Sequence, residues 1–427
     1  MTVPPHRKSS YDAIVIGGGP AGSAYAHTLR RRGHSVLLLE RTRFPRFHIG
    51  ESLLTGVADT LEHMGLLHRV AAQGFPVKTG VELTGDDGSH RRIAFADMGD
   101  DFRDSTFHVE RADFDKILLD AAAEAGAEVV ENAQVSAPLM NGDRVAGVRY
   151  KVGGSTYEAP ASFVADASGR AGVLARRFGL RKSKDELRMA AVFKHFGGLD
   201  EKFNPGTEGD IQLCNHKDGW VWAIPIRKDV ISVGAVTPQR TLRSAPTPED
   251  LFNEHVNRIP RVRERITGTE VVRELTGETD YSYHADRIVG PGFFLLGDAA
   301  CFTDPIFSGG LFLALISGIR AAEQTSKIIS GREEEAEAQE YFANFYKTGF
   351  ETYHRLIRAF YDNDYVITNY MQDLFAAGMH PRWVARTLNG DFWSKDNVLV
   401  NAMRSEERWK LFEDFEPVYR PLFRADD

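Results

Sequence analysis

Near its N-terminus the chain reads Gly17-Gly18-Gly19-Pro20-Ala21-Gly22, between an apolar run at Tyr11–Ile16 and a helical pattern over 21–32. A second apolar run, 35–39, ends at Glu40. Gly17 permits the tight turn, Gly19 lets the backbone approach a pyrophosphate, and Gly22 lets the helix pack closely on the strand. The helix N-terminus at Ala21 favours phosphate, and Glu40 can accept hydrogen bonds from ribose hydroxyls. The sequence therefore predicts an α/β, Rossmann-like unit that binds a dinucleotide cofactor.

Three further stretches outline the rest of the fold. Helical spacing over 113–125 precedes predicted strands near 128–130, 145–150 and 162–166, with a hairpin turn at Asn141-Gly142. From about 189 to 237 aromatic residues alternate as on strands, which predicts an inserted antiparallel sheet. A buried strand at 293–296 and a helix at 310–322 follow, and the chain is mostly helical from about 333. We expect a discontinuous cofactor domain (1–185 and 270–330), a substrate domain (186–269) and a helical C-terminal region (331–427).

Composition narrows the functional classes. The net charge of −8 argues against nucleic acid as a partner, because binding phosphate backbones needs a basic surface. The two cysteines, Cys214 and Cys301, offer neither a disulfide framework nor a metal-binding spacing. The N-terminus has no signal-peptide pattern, and the longest apolar runs fall well short of the roughly 20 residues of a membrane span. We expect a soluble, cytoplasmic protein without a metal centre or transmembrane segment.

Three motifs distinguish between nicotinamide and flavin cofactors. They are Arg111-Ala112-Asp113-Phe114-Asp115-Lys116-Ile117-Leu118, Asp166-Ala167-Ser168-Gly169-Arg170 and Gly297-Asp298-Ala299-Ala300. In this order they resemble the R-x-x-F-D-x-x-L, D-G-like and G-D motifs of the FAD-dependent monooxygenase fold of the GR2 type, over residues 11–322. The resemblance implies that Arg111, Asp166, Gly297 and Asp298 bind FAD. No second G-x-G-x-x-G motif marks a separate NAD domain.

Several segments resemble the flavin-dependent halogenases more specifically. They are the H-x-G-E-S-L segment at 48–53, residues 74–80 around Lys78, the W-x-W-x-I-P segment at 220–225, residues 106–119, Asp280-Tyr281-Ser282-Tyr283 and Asp304-Pro305-Ile306-Phe307-Ser308-Gly309-Gly310. The late segments 361–373 and Gly390-Asp391 are similar, more loosely, to halogenases of carrier-tethered pyrroles. The resemblance implies that Glu51, Ser52, Pro305, Gly309 and Gly310 lie at the flavin.

The resemblance also implies a reaction. Reduced FAD, O2 and a halide ion would give hypohalous acid, and a separate flavin reductase would reduce the FAD. Lys78 would hold that oxidant or be halogenated by it, because a partly desolvated ammonium group loses its proton more easily. The substrate would be an electron-rich ring, a pyrrole or phenol, free or tethered to a carrier protein.

Two other site features follow from the same resemblance. Trp220 and Trp222 share one face of a strand and would form a wall between flavin and substrate. Ser308 and Gly309 would bind the halide through backbone N–H groups, as in an anion nest. The Ser-Gly-Gly sequence departs from the Ser-Ser-Gly or Ser-Thr-Gly of such halogenases. Phe307 replaces the acidic residue of tryptophan-type halogenases, which disfavours tryptophan as substrate.

Other interpretations of these residues remain open. Lys78 taken alone is more typical of an exposed loop lysine, and the two tryptophans of an ordinary core. An aromatic hydroxylase or a prenyl-chain reductase would share the fold but use NAD(P)H directly and need no halide. A non-catalytic flavoprotein that binds a biosynthetic carrier would hold FAD without turning over O2. The reaction products distinguish these classes.

Overall fold

A computed structural model describes residues 5–85, 88–99, 102–183, 188–199, 209–216, 218–279, 282–362, 378–413 and 415–420. The strands are β1 (Tyr11–Ile16), β2 (Val36–Leu39), β3 (Val77–Lys78), β4 (Gly80–Gly85), β5 (His90–Ala94), β6 (Thr106–Phe107), β7 (Glu128–Val130), β8 (Gln134–Asn141), β9 (Arg144–Val152), β10 (Ser155–Asp166), β11 (Arg181–Ser183), β12 (Met189–Gly197), β13 (Ile211–His216), β14 (Gly219–Arg227), β15 (Val230–Pro238), β16 (Glu270–Thr279), β17 (Tyr283–Ala285), β18 (Val289–Gly290), β19 (Phe293–Leu295) and β20 (Cys301–Phe302). The helices are α1 (Pro20–Arg31), α2 (Thr55–His63), α3 (Leu67–Ala71), α4 (Arg111–Glu124), α5 (Val173–Arg177), α6 (Gln239–Ser244), α7 (Pro248–Asn257), α8 (Pro260–Ile266), α9 (Gly309–Ile329), α10 (Glu335–Asp362), α11 (Arg382–Leu388) and α12 (Val398–Arg404).

The first sheet contains the glycine turn. Its order is β18-β19-β10-β1-β2-β7, and the β8–β9 hairpin extends from β10. Strands β19, β10, β1 and β2 are parallel neighbours, so their carboxyl ends meet at one edge of the sheet. Helix α1 packs against α9 so closely that a Cβ on Gly318 would lie 2.3 Å from Ala21 O. The predicted α/β fold and the Asn141-Gly142 hairpin are thus confirmed.

The second sheet has the order β16-β12-β15-β14-β13-β4-β5 and is antiparallel except between β13 and β4. On β14, Trp220 and Trp222 belong to the main core, whereas Val221 and Ala223 pack beneath the short helices α7 and α8. This alternation is what the sequence pattern predicts. Strands β4, β5 and β16 join this sheet from outside residues 186–269, and the division of the chain into domains stays a prediction.

The described part of the C-terminal region contains α10, α11 and α12, and the long helix α10 packs along α9. The buried face of α10 includes Tyr346, Tyr353 and Phe360, which lie near the residues that connect β20 to α9. Most of the segment 361–373, and two residues of 280–283, lie outside the described residues. None of the helices in the described ranges is both long enough and apolar enough to cross a membrane.

Candidate active site

The cofactor residues predicted from sequence meet at one edge of the first sheet. The glycine turn follows β1, Glu40 follows β2, Asp166 ends β10, and Gly297 comes two residues after β19. Backbone hydrogen bonds join these segments, from Gly17 N to Leu39 O at 2.8 Å and from Ala167 N to Ile16 O at 2.9 Å. The structure therefore gathers four segments that are far apart in the sequence.

The glycine turn leaves an open cradle at the start of α1. Gly17 has φ +102°, and a Cβ there would lie 2.5 Å from Ala167 O. A Cβ on Gly22 would lie 2.0 Å from Gly17 O, whereas on Gly19 it would meet nothing closer than Arg46 Nη2 at 3.5 Å. Helix α1 has no side-chain N-cap and no acidic residue in its first turn, which includes Ala21. Its first N–H groups are thus free to bind an anion.

Arg46 adds a cation that the sequence motifs do not reveal. Its Nη1 is buried and makes no hydrogen bond among the described residues, although it lies 3.4 Å from Asp115 Oδ2. Arg111, by contrast, is fully engaged, because it donates to both Asp115 oxygens at 2.8 and 2.9 Å and to Ile49 O at 2.8 Å. A cradle without side chains, an uncapped helix N-terminus and a buried guanidinium nitrogen without a hydrogen bond to the described residues fit the pyrophosphate of FAD. Arg111 holds the segment around residue 49 in place, and its contact with FAD stays a prediction.

Three carboxylates at this edge have different surroundings. Glu40 accepts from Gly18 N at 2.7 Å and from the backbone and hydroxyl of Thr42. Asp166 is fully buried and accepts from Ser168 and from Leu174 N, so it organises the turn that follows β10. Asp298 accepts no side-chain hydrogen bond from the described residues, and burial raises its pKa to about 6. Of the three, Asp298 is the acid most available to a sugar-alcohol hydroxyl.

Lys78 lies in a buried pocket rather than on an exposed loop. Strand β3, which contains it, pairs with β6 through Lys78 and Thr106. The Lys78 side chain is 2% exposed, and Nζ donates to Ser52 Oγ and to Leu53 O, both at 3.0 Å. Burial lowers the pKa of Lys78 to about 7, opposed by the nearby Asp210 carboxylate. The segments around 52, 78 and 106, which the resemblance selected separately, thus form one pocket.

His108 shares this pocket and was missed by sequence reasoning. Its backbone pairs with that of Ser52 in an isolated antiparallel β-bridge, and its backbone N–H donates to Pro76 O at 3.0 Å. The strand register places its side chain on the same face as Lys78. Its ring is fully buried, with no hydrogen bond of ordinary geometry to either nitrogen from the described residues. Burial and the charge of Lys78 lower the pKa of His108, so the imidazole is neutral.

Glu51 connects this pocket to the second sheet. It is buried next to Ser52, and its Oε1 lies 3.0 Å from His195 Nε2 on β12. Phe47, at the start of the same segment, stacks on Phe193 of β12 with ring centroids 6.1 Å apart. The segment that contains Glu51 therefore lies between the cofactor edge and the second sheet.

Trp220 and Trp222 lie side by side on the inner face of the second sheet. Their ring centroids are 5.8 Å apart. Trp222 donates to Ser232 Oγ at 3.1 Å, and a Cβ on Gly234 would lie 2.2 Å from its ring. Trp220 donates from Nε1 to Tyr361 Oη at 3.0 Å. Hydrogen bonds and close packing thus hold both indoles in fixed positions.

The Asp304–Gly310 turn leads into α9. Ser308 has φ +57°, and its N–H donates to Pro305 O at 2.9 Å. The Gly309 N–H, which sequence reasoning offers to a halide, donates here to Tyr353 Oη at 3.0 Å. Pro305 and Gly310 are exposed, and the Ser308 side chain is half-buried. Asp304 is fully buried, and burial raises its pKa to about 7.

Comparison with known proteins adds independent information. The sequence profile of the FAD binding domain family matches residues 10–344. The chain is 30% identical to a 1H-pyrrole-2-carbonyl-[peptidyl-carrier protein] chlorinase of Pseudomonas fluorescens, over 97% of this chain and 99% of the relative. It is 34% identical to a tryptophan 2-halogenase of Chondromyces crocatus, over 83% of this chain and 68% of that relative. The structure of the flavin-dependent brominase Bmp2 is similar at a TM-score of 0.83 and 30% identity, covering 93% of this chain and 98% of that one.

Proposed function

The chain belongs to the flavin-dependent halogenases, within the FAD binding domain family, and on that premise we propose that it halogenates an electron-rich aromatic ring through Lys78. The observation that carries the proposal is the buried Lys78 amine, whose pKa lies near 7. At pH 7 an ordinary exposed lysine is almost entirely protonated, whereas about half of the Lys78 amines would be neutral. A neutral amine has a lone pair that can accept an electrophilic halogen.

Bound FAD, once reduced by a separate flavin reductase, would supply two electrons that, with two from the halide ion, reduce O2 to water and hypohalous acid. Lys78 would then exchange an N–H hydrogen for the halogen, with water as the other product. Transfer to the ring would form a carbon–halogen bond and return the ring hydrogen to the nitrogen as a proton. Before this exchange Ser52 Oγ and Leu53 O both accept from Nζ and fix its position, and the halogenated nitrogen would keep one N–H for one of them.

The surrounding residues would keep this chemistry specific. His108 is neutral and buried beside Lys78, so it places no second positive charge in the pocket. Trp220 and Trp222 would separate the aromatic substrate from the flavin and thus prevent direct oxygen transfer. Their fixed hydrogen bonds support this role, because a wall has to hold its position.

For the substrate, we propose a pyrrole or phenol, with a pyrrolyl group on a carrier protein as the first choice. The support is the name of the chlorinase that matches the chain over almost its full length. Phe307, buried against Phe360 with centroids 5.7 Å apart, presents an apolar ring just before Ser308. It offers no counter-charge to the ammonium group of free tryptophan, which makes that substrate the second choice.

The test is mass spectrometry of products formed by the protein with FAD, a flavin reductase, NADH and O2, in chloride and then in bromide. Pyrroles and phenols would be supplied free and loaded on a carrier protein. We expect a product with the halogen isotope pattern, lowered at least 100-fold in Lys78→Met while NADH and O2 consumption continue. Lys151→Met, which removes an exposed lysine, is the matched control and should retain full halogenation.

Each alternative has its own result. Full halogenation by Lys78→Met would exclude the lysine role without excluding halogenation. A gain of one oxygen that does not depend on halide would indicate a hydroxylase. Turnover with NADPH in the absence of a reductase would contradict the two-component scheme.

A further inference from the structure

The Gly309 position is shaped by a neighbouring ring rather than by its own backbone. Gly309 is not in the left-handed region, so its φ would accept any residue. A Cβ there, however, would lie 2.5 Å from Tyr353 Cε2 and 2.8 Å from Cδ2 and Cζ. Tyr353 is buried in α10, so its ring cannot easily move away. The glycine at 309 is therefore required by the position of Tyr353.

The Tyr353 hydroxyl joins the two ends of the turn. It accepts a hydrogen bond from Gly309 N at 3.0 Å and donates one to Asp304 O at 3.3 Å. Between these residues Ser308 has a left-handed conformation, which is unfavourable for a residue with a side chain and has to be held by its surroundings. The Tyr353 side chain thus links Asp304 and Gly309 across the turn.

A second contact from the same helix supports this arrangement. Tyr361, two turns after Tyr353, accepts from Trp220 Nε1 at 3.0 Å. Phe360 packs on Phe307 inside the turn. Helix α10 therefore positions the turn and one of the two tryptophans together.

We propose that Tyr353 is a positioning residue that fixes the conformation of the 304–310 turn, by filling the space beside Gly309 and by bonding to Asp304 and Gly309. It would act on halide binding through the turn, without contacting the substrate. The effect on halide binding rests on the proposed function, whereas the coupling between Tyr353 and Gly309 does not. The two parts can be tested separately.

The coupling is tested by a double-mutant cycle. Gly309→Ala should lower the melting temperature and weaken FAD binding at least 10-fold, since its methyl group meets the Tyr353 ring. In a Tyr353→Leu background, which lacks the ring, the same substitution should change FAD affinity less than 3-fold. Equal effects of Gly309→Ala in both backgrounds would overturn the steric part. Both measurements use the protein without halide or substrate, so they are valid even if it does not halogenate.

The positioning role is tested with Tyr353→Phe, which keeps the ring and removes both hydrogen bonds. We expect the KM for bromide to rise at least 3-fold, while FAD affinity and the rate at which the reduced, FAD-loaded protein consumes O2 without halide stay within 2-fold of the wild type. Tyr25→Phe is the control, because it removes another buried tyrosine hydroxyl, bonded to Thr325, away from the turn. An unchanged or lower KM for bromide in Tyr353→Phe would overturn the positioning role.

Discussion

The edge of the first sheet that contains the glycine turn is built differently from the Lys78 pocket. At the edge, the glycine turn and Glu40 belong to one β-α-β unit, from Tyr11 to Glu40, in which close backbone approaches exclude side chains at Gly17 and Gly22. The pocket is assembled from segments around residues 52, 78, 108 and 210, and its polar atoms have few partners. Local backbone constraints can therefore be recognised in a sequence, whereas the properties of a buried charge depend on segments that only the fold brings together.

The two regions also differ in how their polar groups are satisfied. At the edge, Gly17 N and Gly18 N donate to Leu39 O and Glu40 Oε2, and the Glu40 carboxylate is fully engaged. In the pocket, Lys78 donates to two neutral oxygens, and His108 lacks a hydrogen bond from the described side chains. Burial of an amine without a bonded carboxylate destabilises its charged form. The surroundings of Lys78 therefore favour the neutral amine.

The largest expected effect is at the edge, with Gly22→Ala. The new Cβ would lie 2.0 Å from Gly17 O, so β1 and α1 would have to separate. We expect at least 100-fold weaker FAD binding, measured by flavin fluorescence, and a loss of about 3 kcal/mol in the free energy of unfolding, measured in urea. Gly277→Ala is the control, because its Cβ would make only ordinary contacts. Unchanged FAD binding by Gly22→Ala would show that the glycine turn can accommodate a side chain at residue 22.

In the pocket, Lys78→Met should alter the pH dependence of stability. Between about pH 7 and pH 10.5 the unfolded lysine is protonated and the folded one is not, so wild-type stability rises with pH through this group. The variant lacks this contribution, and its stability relative to the wild type should fall by about 3 kcal/mol from pH 7 to pH 9.5, at roughly 1.4 kcal/mol per unit. Urea unfolding of the apoprotein at both pH values measures it. For Lys151→Met the difference should not depend on pH. The same result for Lys78→Met would mean that folding does not lower the pKa of Lys78.

The smallest effect is expected for Ser52→Ala, which removes one of the two acceptors of Lys78 Nζ. It should cost about 1 kcal/mol of stability. Because the lost bond favours the protonated amine, the pKa of Lys78 should fall further, and the midpoint of the pH profile of halogenation should move to lower pH by up to about one unit. Ser326→Ala, which removes a buried hydroxyl bonded to His34, should cost similar stability without moving the profile. A midpoint that moves to higher pH would contradict the role of Ser52.

Much of the fold could be predicted because its signals are local. The glycine turn, the hairpin at Asn141-Gly142 and the alternation around Trp220 each depend on residues close in sequence. The inserted sheet was recognised, but its strands β4 and β5 were not assigned to it, since the pairing of β4 with β13 joins residues more than 120 positions apart. The resemblance also selected the segments that form the Lys78 pocket.

Three residues of the site carried no signal of their own. Arg46 follows no motif, His108 stands in a segment noted for Arg111, and Tyr353 lies in a helix with many aromatic residues. Their roles depend on a nitrogen without a hydrogen bond to the described residues, a buried neutral ring and a filled space, which are properties of contacts rather than of composition.

The sequence alone was sufficient to predict the cofactor-binding unit and the halogenase family, because glycine spacing and short motifs act through the backbone of neighbouring residues. The pKa of Lys78 and the reason for glycine at 309 were decided only by the tertiary structure. Both depend on how completely distant segments exclude water and fill space around one atom, and burial of that kind is a property of packing.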